Sequence, residues 1–385
     1  MAKEALRVPT AELDLQERIL RLHWPLLLVL CGIAGIGVMT LYSVPQGHWS
    51  PYAAQHLIRF LVCLVGLAVV AVIPLRFWLS ASYPIYFGVL VLLLLVPFIG
   101  EMNNGARRWI DLGGFQLQPS EMMKVAVVMA LARYYHGLEF KKVSTILGMI
   151  PPLAMVGVPV GLVFIQPDLG TSLLIGFSGL FVILLAGISW RVVIVGIFTA
   201  LAGIVVAIQT GLLKEYQIER VTAFLNPDHD PLGANFHPNQ SKIAIGSGGV
   251  EGKGLLEGTQ SQLGFLPEKH TDFIFTIYGE EFGLIGTTIL LGLYILAFLL
   301  TARIAGAARS HFGRLMSLGI GLTFVSYVLV NTGMVMGLAP VVGVPLPLVS
   351  YGGTVMLAMM GGFGLVMCTW VNRHQDTLRT QGWRR

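Results

Sequence analysis

The sequence predicts an all-α, polytopic integral membrane protein of about ten transmembrane helices, because a bilayer core of about 30 Å takes roughly 20 apolar residues per helix and runs of that kind recur along the chain. Composition agrees. Of the 385 residues, 55% are hydrophobic and 12% charged, whereas a soluble domain carries about a quarter charged residues. The 46 glycines suit packed membrane helices, whose backbones approach closely where side chains are small. The net charge of +5 follows membrane topology and does not mark a nucleic-acid partner. Cys31, Cys63 and Cys368 lie in apolar runs without CxxC spacing and read as small buried hydrophobes.

In chain order, residues 1–23 form a polar N-terminal tail without the pattern of a cleavable signal peptide. The expected spans follow at 24–44, 53–74, 78–99, 119–135, 148–165, 169–187, 190–210, 274–300, 314–335 and 353–371. The fourth is the least apolar, because it holds Glu121 and Lys124. Residues 24–371 thus make one transmembrane domain, and 372–385 a C-terminal tail. Lys and Arg concentrate in the two tails and in the 133–142 and 303–314 loops, so both termini are expected in the cytoplasm. The loops at 100–118, 211–273 and 336–352 are then expected outside. The loop at 211–273, between spans seven and eight, is the one large insertion. It is rich in Gly, Pro, Asn and Gln with a short apolar piece at 242–245, and is expected to form amphipathic or re-entrant segments on the outer surface. No matched pair of interrupted spans is evident.

Ionisable side chains within spans are costly and point to function. Here they gather toward the outer ends. Asp272, flanked by Phe273, Ile274 and Phe275, stands at the mouth of span eight. Asp168 opens span six in "QPDLGT". Glu121 and Lys124, in "QPSEMMK", share a helix face at the start of span four. Arg107, Arg108 and Trp109 sit in the loop just before it. All but Asp272 admit a bland reading. Glu121 and Lys124 could form a structural ion pair, Asp168 a helix-start cap, and the Arg-Arg-Trp triplet an interfacial anchor. Glu280 and Glu281 lie about 12–14 Å deeper than Asp272 at 1.5 Å per residue and read as structurally paired. Lys253 belongs to "GSGGVEGKG", a turn-forming surface segment whose backbone N–H groups could approach phosphates. Metal-ligand spacings of the HExxH or CxxC kind are absent from the sequence.

The motifs "NGARRWIDLGGFQLQPSEMMK", "QPDLGTS", "QSKIAIGSGG", "GTQSQLGFLPEKHTDFIF", "GEEFGLIG" and "GVPLPLVSYGGT" resemble those of the SEDS family of cell-wall polymerases, in the same order from about residue 24 to 371. Thr354, after the last Gly pair, departs from the more common Ser. The resemblance is to the elongation branch, the RodA-like proteins, more than to the division branch. It implies a peptidoglycan glycosyltransferase that polymerises lipid II at the outer face of the bacterial cytoplasmic (inner) membrane, for cell elongation and rod shape. It implies Asp272 as the essential aspartate and Arg107, Arg108, Trp109, Glu121, Lys124, Asp168 and Lys253 as substrate-binding candidates. It also implies a class B penicillin-binding protein as transpeptidase partner, together with other membrane proteins of the elongation complex. The motifs fix no cofactor, and a divalent cation, Mg or Mn, is compatible with the chemistry.

That chemistry suits the residues. The donor sugar is α-linked to a lipid pyrophosphate and the polymer is β-1,4-linked, so the transfer inverts and needs a base for the attacking hydroxyl. A pyrophosphate leaves without the protonating acid that a glycosidase needs, and cations stabilise its charge. The segment "GLAPVVGVPLPLVSYGG", with Pro340, Pro345 and Pro347, should be a poorly helical apolar cover over the pocket. A flippase for the same lipid, or a non-catalytic scaffold for the transpeptidase, are the alternatives.

Overall fold

The computed structural model describes residues 14–103, 106–111, 113, 116–196, 198, 220, 222–224, 226, 236–259 and 269–375. The expected seventh span at 190–210 and much of the long loop, including residues 227–235 and 260–268, lie largely outside the described residues, as do the outermost parts of both tails. A short helix α1 (Leu15–Leu20) precedes α2 (Trp24–Ser43), α3 (Tyr52–Val72) and α4 (Leu75–Ile99). After a small sheet come α5 (Pro119–Gly137), α6 (Ile146–Ile165), α7 (Leu169–Leu185), α8 (Phe236–Gly248), α9 (Ile274–Ala307), α10 (His311–Val335) and α11 (Gly353–Val371). Seven of these, α2, α3, α4, α6, α9, α10 and α11, are long and apolar enough to cross a membrane, and α7 is a shorter apolar helix.

The fold is all-α with one addition. The loop after α4 folds into β1 (Glu101–Asn103), β2 (Ala106–Asp111) and β3 (Gln116–Leu117), an antiparallel sheet in the order β1-β2-β3. Glu101 stands opposite Trp109, and Ile110 opposite Leu117. Strand alternation sends the neighbouring Arg107 and Arg108 to opposite faces.

Helix α5 begins with Pro119 at its first position and Glu121 in its first turn, where proline lacks no needed donor and the dipole favours an acid. It packs against α4, α6, α7, α10 and α11. That central place accounts for its low hydropathy, because a helix screened from lipid can carry polar groups that pair within the protein. The peripheral helices show the opposite pattern. Ile58, Leu61, Val62, Val65 and Val69 of α3, and Ile146, Leu147, Ile150 and Leu153 of α6, are exposed apolar rows, as a lipid-facing surface requires. Gly319 of α10 lets that helix cross α5 and α7, since a Cβ there would come within 2.7 Å of both Val128 and Val182.

Helix α9 is broken at Gly283, whose φ of 59° and ψ of −156° lie where only glycine is at ease. The segment following α8 is spliced into the break. Lys253 N donates to Glu280 O (3.1 Å) and Gly254 N to Glu281 O (3.0 Å), while Leu284 N donates to Gly249 O (3.0 Å) and Ile285 N to Val250 O (3.1 Å). The carbonyls of residues 280 and 281 are thus served by the loop instead of by the helix. The segment "GSGGVEGKG" does form an exposed turn at 249–251, as expected, but the N–H groups of Lys253 and Gly254 are spent on α9. Helix α8, expected to lie on the outer surface, also packs on α9, with Ser241 Oγ donating to Val335 O (2.9 Å) and bonded to Thr276 Oγ1 (2.6 Å).

Gly283→Ala should lower the melting temperature of the detergent-purified protein. The backbone conformation alone costs a non-glycine residue about 1–3 kcal/mol, and the new Cβ would strike the backbone of Gly252 and Val250. Gly35→Ala in α2, whose Cβ meets nothing within 4 Å, should melt with the wild type.

Candidate functional site

Asp272 lies in the turn that leads into α9 and is half-buried, between the half-buried Thr271 and the buried Phe273. Its backbone carbonyl accepts from Asn331 Nδ2 of α10 (2.8 Å), which also donates to Val344 O (2.7 Å). Ser350 Oγ donates to Thr271 O (2.6 Å), and Tyr351 N to His270 O (2.9 Å). The His270 ring stacks on Tyr52 of α3, centroids 4.7 Å apart. Partial burial lowers the pKa of neighbouring Lys269 from its usual lysine value.

The segment between α10 and α11 is non-helical, as its prolines predict, and it is held from several sides. Val342, Val344, Leu346, Leu348 and Val349 are buried. His56 Nε2 of α3 bonds Leu348 O (3.0 Å), Tyr294 Oη of α9 donates to Pro347 O (2.6 Å), and Gly170 of α7 packs against Val342 O. Exposed Gly343, at φ 69°, borders Asp272: a Cβ on it would stand 3.2 Å from Asp272 Oδ2.

Glu121 and Lys124 form the ion pair that their spacing predicts. Lys124, wholly buried, donates to Glu121 Oε1 (2.6 Å) and to the Tyr327 hydroxyl of α10, and Tyr327 donates to Glu121 Oε2. The Lys124 ammonium also lies 4.4 Å from the Tyr327 ring centroid. Asp168 caps α7 by accepting from Thr171 N (3.1 Å), and its other oxygen accepts from Gln118 Nε2 (3.1 Å) at the threshold of α5. Thr354, opening α11, donates to Gln116 O (2.8 Å) and accepts from Gln118 N (3.3 Å).

The structure gathers Glu121, Lys124 and Asp168 beside the start of α5. Arg108 joins them by donating to the carbonyls of Gln166 and Pro167. Arg107 turns away and donates to Pro97 O (3.2 Å) at the end of α4, and Trp109 is half-buried in β2. Lys253 is placed elsewhere, bound to Glu280 Oε1 and Thr259 Oγ1 (2.7 Å each) beside the break in α9. Glu281 accepts from Ser43 of α2. The structural pairing expected of these two acids is seen for Glu280, with Lys253, while Glu281 is held by a serine hydroxyl. Among the described residues no three His, Cys, Asp or Glu side chains converge as a metal-ligand set.

Sequence reasoning missed Tyr327, Asn331, Ser350 and Gln118. One signal was present. Tyr327 and Asn331 are four apart in α10 and share a face, and an asparagine within a span is itself a costly, informative residue.

Comparison with known proteins places this geometry among relatives. The model of the FtsW/RodA/SpoVE family, described as cell cycle protein, matches residues 18–375. The peptidoglycan glycosyltransferase MrdB of Escherichia coli is 46% identical over 316 residues, covering 80% of this chain and 83% of its own. A chain from a structure on coordination of polymerization and crosslinking by a peptidoglycan synthase complex superposes with a TM-score of 0.79 at 32% identity, covering 92% of this chain and 99% of that one. The crystal structure of the rod-shape-determining protein RodA of Thermus thermophilus gives 0.69 at 29% identity, covering 92% and 98%.

Lys124→Met should destabilise the protein by about 3–5 kcal/mol, because it leaves Glu121 charged and buried without its cation. The double variant Glu121→Gln with Lys124→Met should recover most of that loss. Thermal melting of the two variants beside the wild type checks both statements; equal melting of the single and double variants would contradict them.

Proposed function

The chain belongs to the FtsW/RodA/SpoVE family of cell cycle proteins and is a multi-pass membrane peptidoglycan glycosyltransferase most like RodA; within that activity we propose that Asp272 is the general base of an inverting transfer that polymerises lipid II. The observation that carries this is the placement of Asp272: a half-buried carboxylate at the mouth of a spanning helix, bordered by the exposed Gly343 of the non-helical cover. A substrate whose lipid stays in the bilayer presents its sugar at that depth.

In the proposed step, Asp272 removes the proton of the acceptor's 4-hydroxyl as its oxygen attacks the anomeric carbon of the donor sugar. The bond from that carbon to the pyrophosphate oxygen breaks, its electron pair leaves with the lipid pyrophosphate, and configuration inverts from α to β. Arg108 is the cation we assign to the leaving group, because it stands beside Asp168 at the start of α5 and holds only backbone carbonyls in the described contacts; Arg107, on the opposite face of the strand, would reach it only by leaving the end of α4. Lys124 and Lys253 are engaged by carboxylates and serve the frame, with Glu121 and Asp168; Trp109 offers an aromatic face to a sugar. A divalent cation, Mg or Mn, would arrive on the pyrophosphate, since hard cations of this kind are often bound through substrate phosphates. In orientation, we place both termini in the cytoplasm and the Asp272 end toward the periplasm, as the Lys and Arg distribution favours.

The partner fitting this reading is a class B penicillin-binding protein that crosslinks the new strand. The peptidoglycan synthase complex, whose structure concerns polymerization together with crosslinking, supports a coupled pair. The 211–273 loop, interlocked with α9 through residues 249–254, offers a surface by which a partner could shift the pocket between states.

Asp272→Asn should lower polymer yield from lipid II by about 100- to 10,000-fold, the usual contribution of a general base, with unchanged expression and melting. Near-normal polymer from this variant would remove the base assignment. Adding the purified transpeptidase should raise the wild-type rate; a rate indifferent to it would remove the coupling.

A further inference from the structure

Three successive backbone carbonyls, those of His270, Thr271 and Asp272, each accept a hydrogen bond from outside α9: from Tyr351 N (2.9 Å), Ser350 Oγ (2.6 Å) and Asn331 Nδ2 (2.8 Å). Two of these donors also grip the cover. The same Asn331 nitrogen donates to Val344 O (2.7 Å), and Ser350 Oγ accepts from Leu346 N (2.7 Å). Asn331 is fully buried. It therefore joins two pieces of non-helical backbone that have no regular ladder to fix their distance. One piece carries the Asp272 carboxylate. The other carries Gly343, one residue before Val344, whose Cβ position would lie 3.2 Å from Asp272 Oδ2. The gap between carboxylate and cover is the space in front of the proposed base, and its width is set where the Asn331 amide bridges Asp272 O and Val344 O.

We propose that Asn331 is a positioning residue for the transfer, holding the Asp272 turn and the Gly343 edge of the cover at the separation that lets the carboxylate reach the attacking hydroxyl. The proposal rests on the reading of Asp272 as the base. Asn331 touches neither substrate nor proton. It acts through geometry, and displacement of a reacting group by about 1 Å can cost around 100-fold in rate. A leucine at 331 keeps a similar volume but donates no hydrogen bond, so it frees the two backbone pieces from each other. An alanine at 343 intrudes from the opposite side at an exposed position and removes no side-chain hydrogen bond, but its φ of 69° also strains the backbone, so its turnover is read per folded molecule.

The test measures polymerisation kinetics with lipid II for Asn331→Leu, Gly343→Ala and Asp272→Asn, each beside the wild type, with thermal melting and the folded fraction of every sample. The expected result is a turnover per folded molecule lowered about 10- to 100-fold in both Asn331→Leu and Gly343→Ala. Their KM for lipid II should stay near the wild-type value, the pattern of an interaction realised in the transition state. The midpoint of their pH–rate profiles should not move, because the base is displaced and not replaced. Wild-type turnover in either folded variant overturns the proposal. So does a loss that disappears when activity is divided by folded fraction, which is what a merely structural role gives. Should Asn331→Leu fail to fold, Asn331→Ser, whose shorter hydroxyl cannot span both carbonyls, decides between the same two results. The Asp272→Asn sample separates the two levels. If it is inactive while the other variants turn over normally, only the positioning role falls. If it polymerises normally, the base assignment falls and takes this inference with it.

Discussion

A backbone that leaves the helix inside a membrane protein must find its hydrogen bonds within the protein, because lipid offers none. Much of what is distinctive here follows from meeting that requirement in three places. The cover between α10 and α11 is held by side chains from α3, α9 and α10. The turn before α9 hangs its carbonyls on Asn331, Ser350 and Tyr351. The break in α9 exchanges hydrogen bonds with residues 249–254. Each irregular segment is satisfied by another element; the turn and the cover constrain each other through Asn331 and Ser350, and Asp272 sits where those two meet.

The same requirement governs the charges. Glu121 and Lys124 lie in a largely buried helix with their polar atoms bound to each other and to Tyr327. Replacing such an arrangement with apolar groups can be nearly neutral, while breaking one side is costly. Its presence at the start of α5 fixes how α5 meets α10. Glu280 and Lys253 do the corresponding work at the break in α9. Asp272 differs in that it is half-buried and borders an exposed glycine. A carboxylate so placed can be reached by a substrate, which separates it from the buried acids of the frame.

This division of labour also bears on coupling. Residues 249–254 follow α8 in the long 211–273 segment, yet they complete the hydrogen bonding of a spanning helix whose first turns follow Asp272. A force on that loop is carried into α9 through backbone hydrogen bonds as well as through side chains. Elements with two discrete arrangements are what transmit coupling between distant sites, and a helix interrupted at a glycine is a candidate for such an element.

The sequence by itself determined the membrane class, the ranges of most helices, and the residues at which charge enters the spans. Hydropathy, Pro119 at a helix start and the spacing of Glu121 and Lys124 are local properties, and local properties survive without a fold. Asp272 stood out because a carboxylate beside Phe273, Ile274 and Phe275 is conspicuous, and its position at the start of α9 is a local property of the same kind. The sheet at 101–117, the break at Gly283 and the partners of Asp272 were decided only by tertiary structure. Asn331 lies 59 residues from Asp272, and Tyr327 lies 203 from Lys124. Gly283 reads as an ordinary membrane glycine until residues 249–254 are laid against it. Lys253, a plausible phosphate ligand by sequence, is bound by Glu280 instead. Such pairings depend on which helices come to lie side by side, and a pattern of apolar runs fixes that each helix is inserted but not which neighbour it meets.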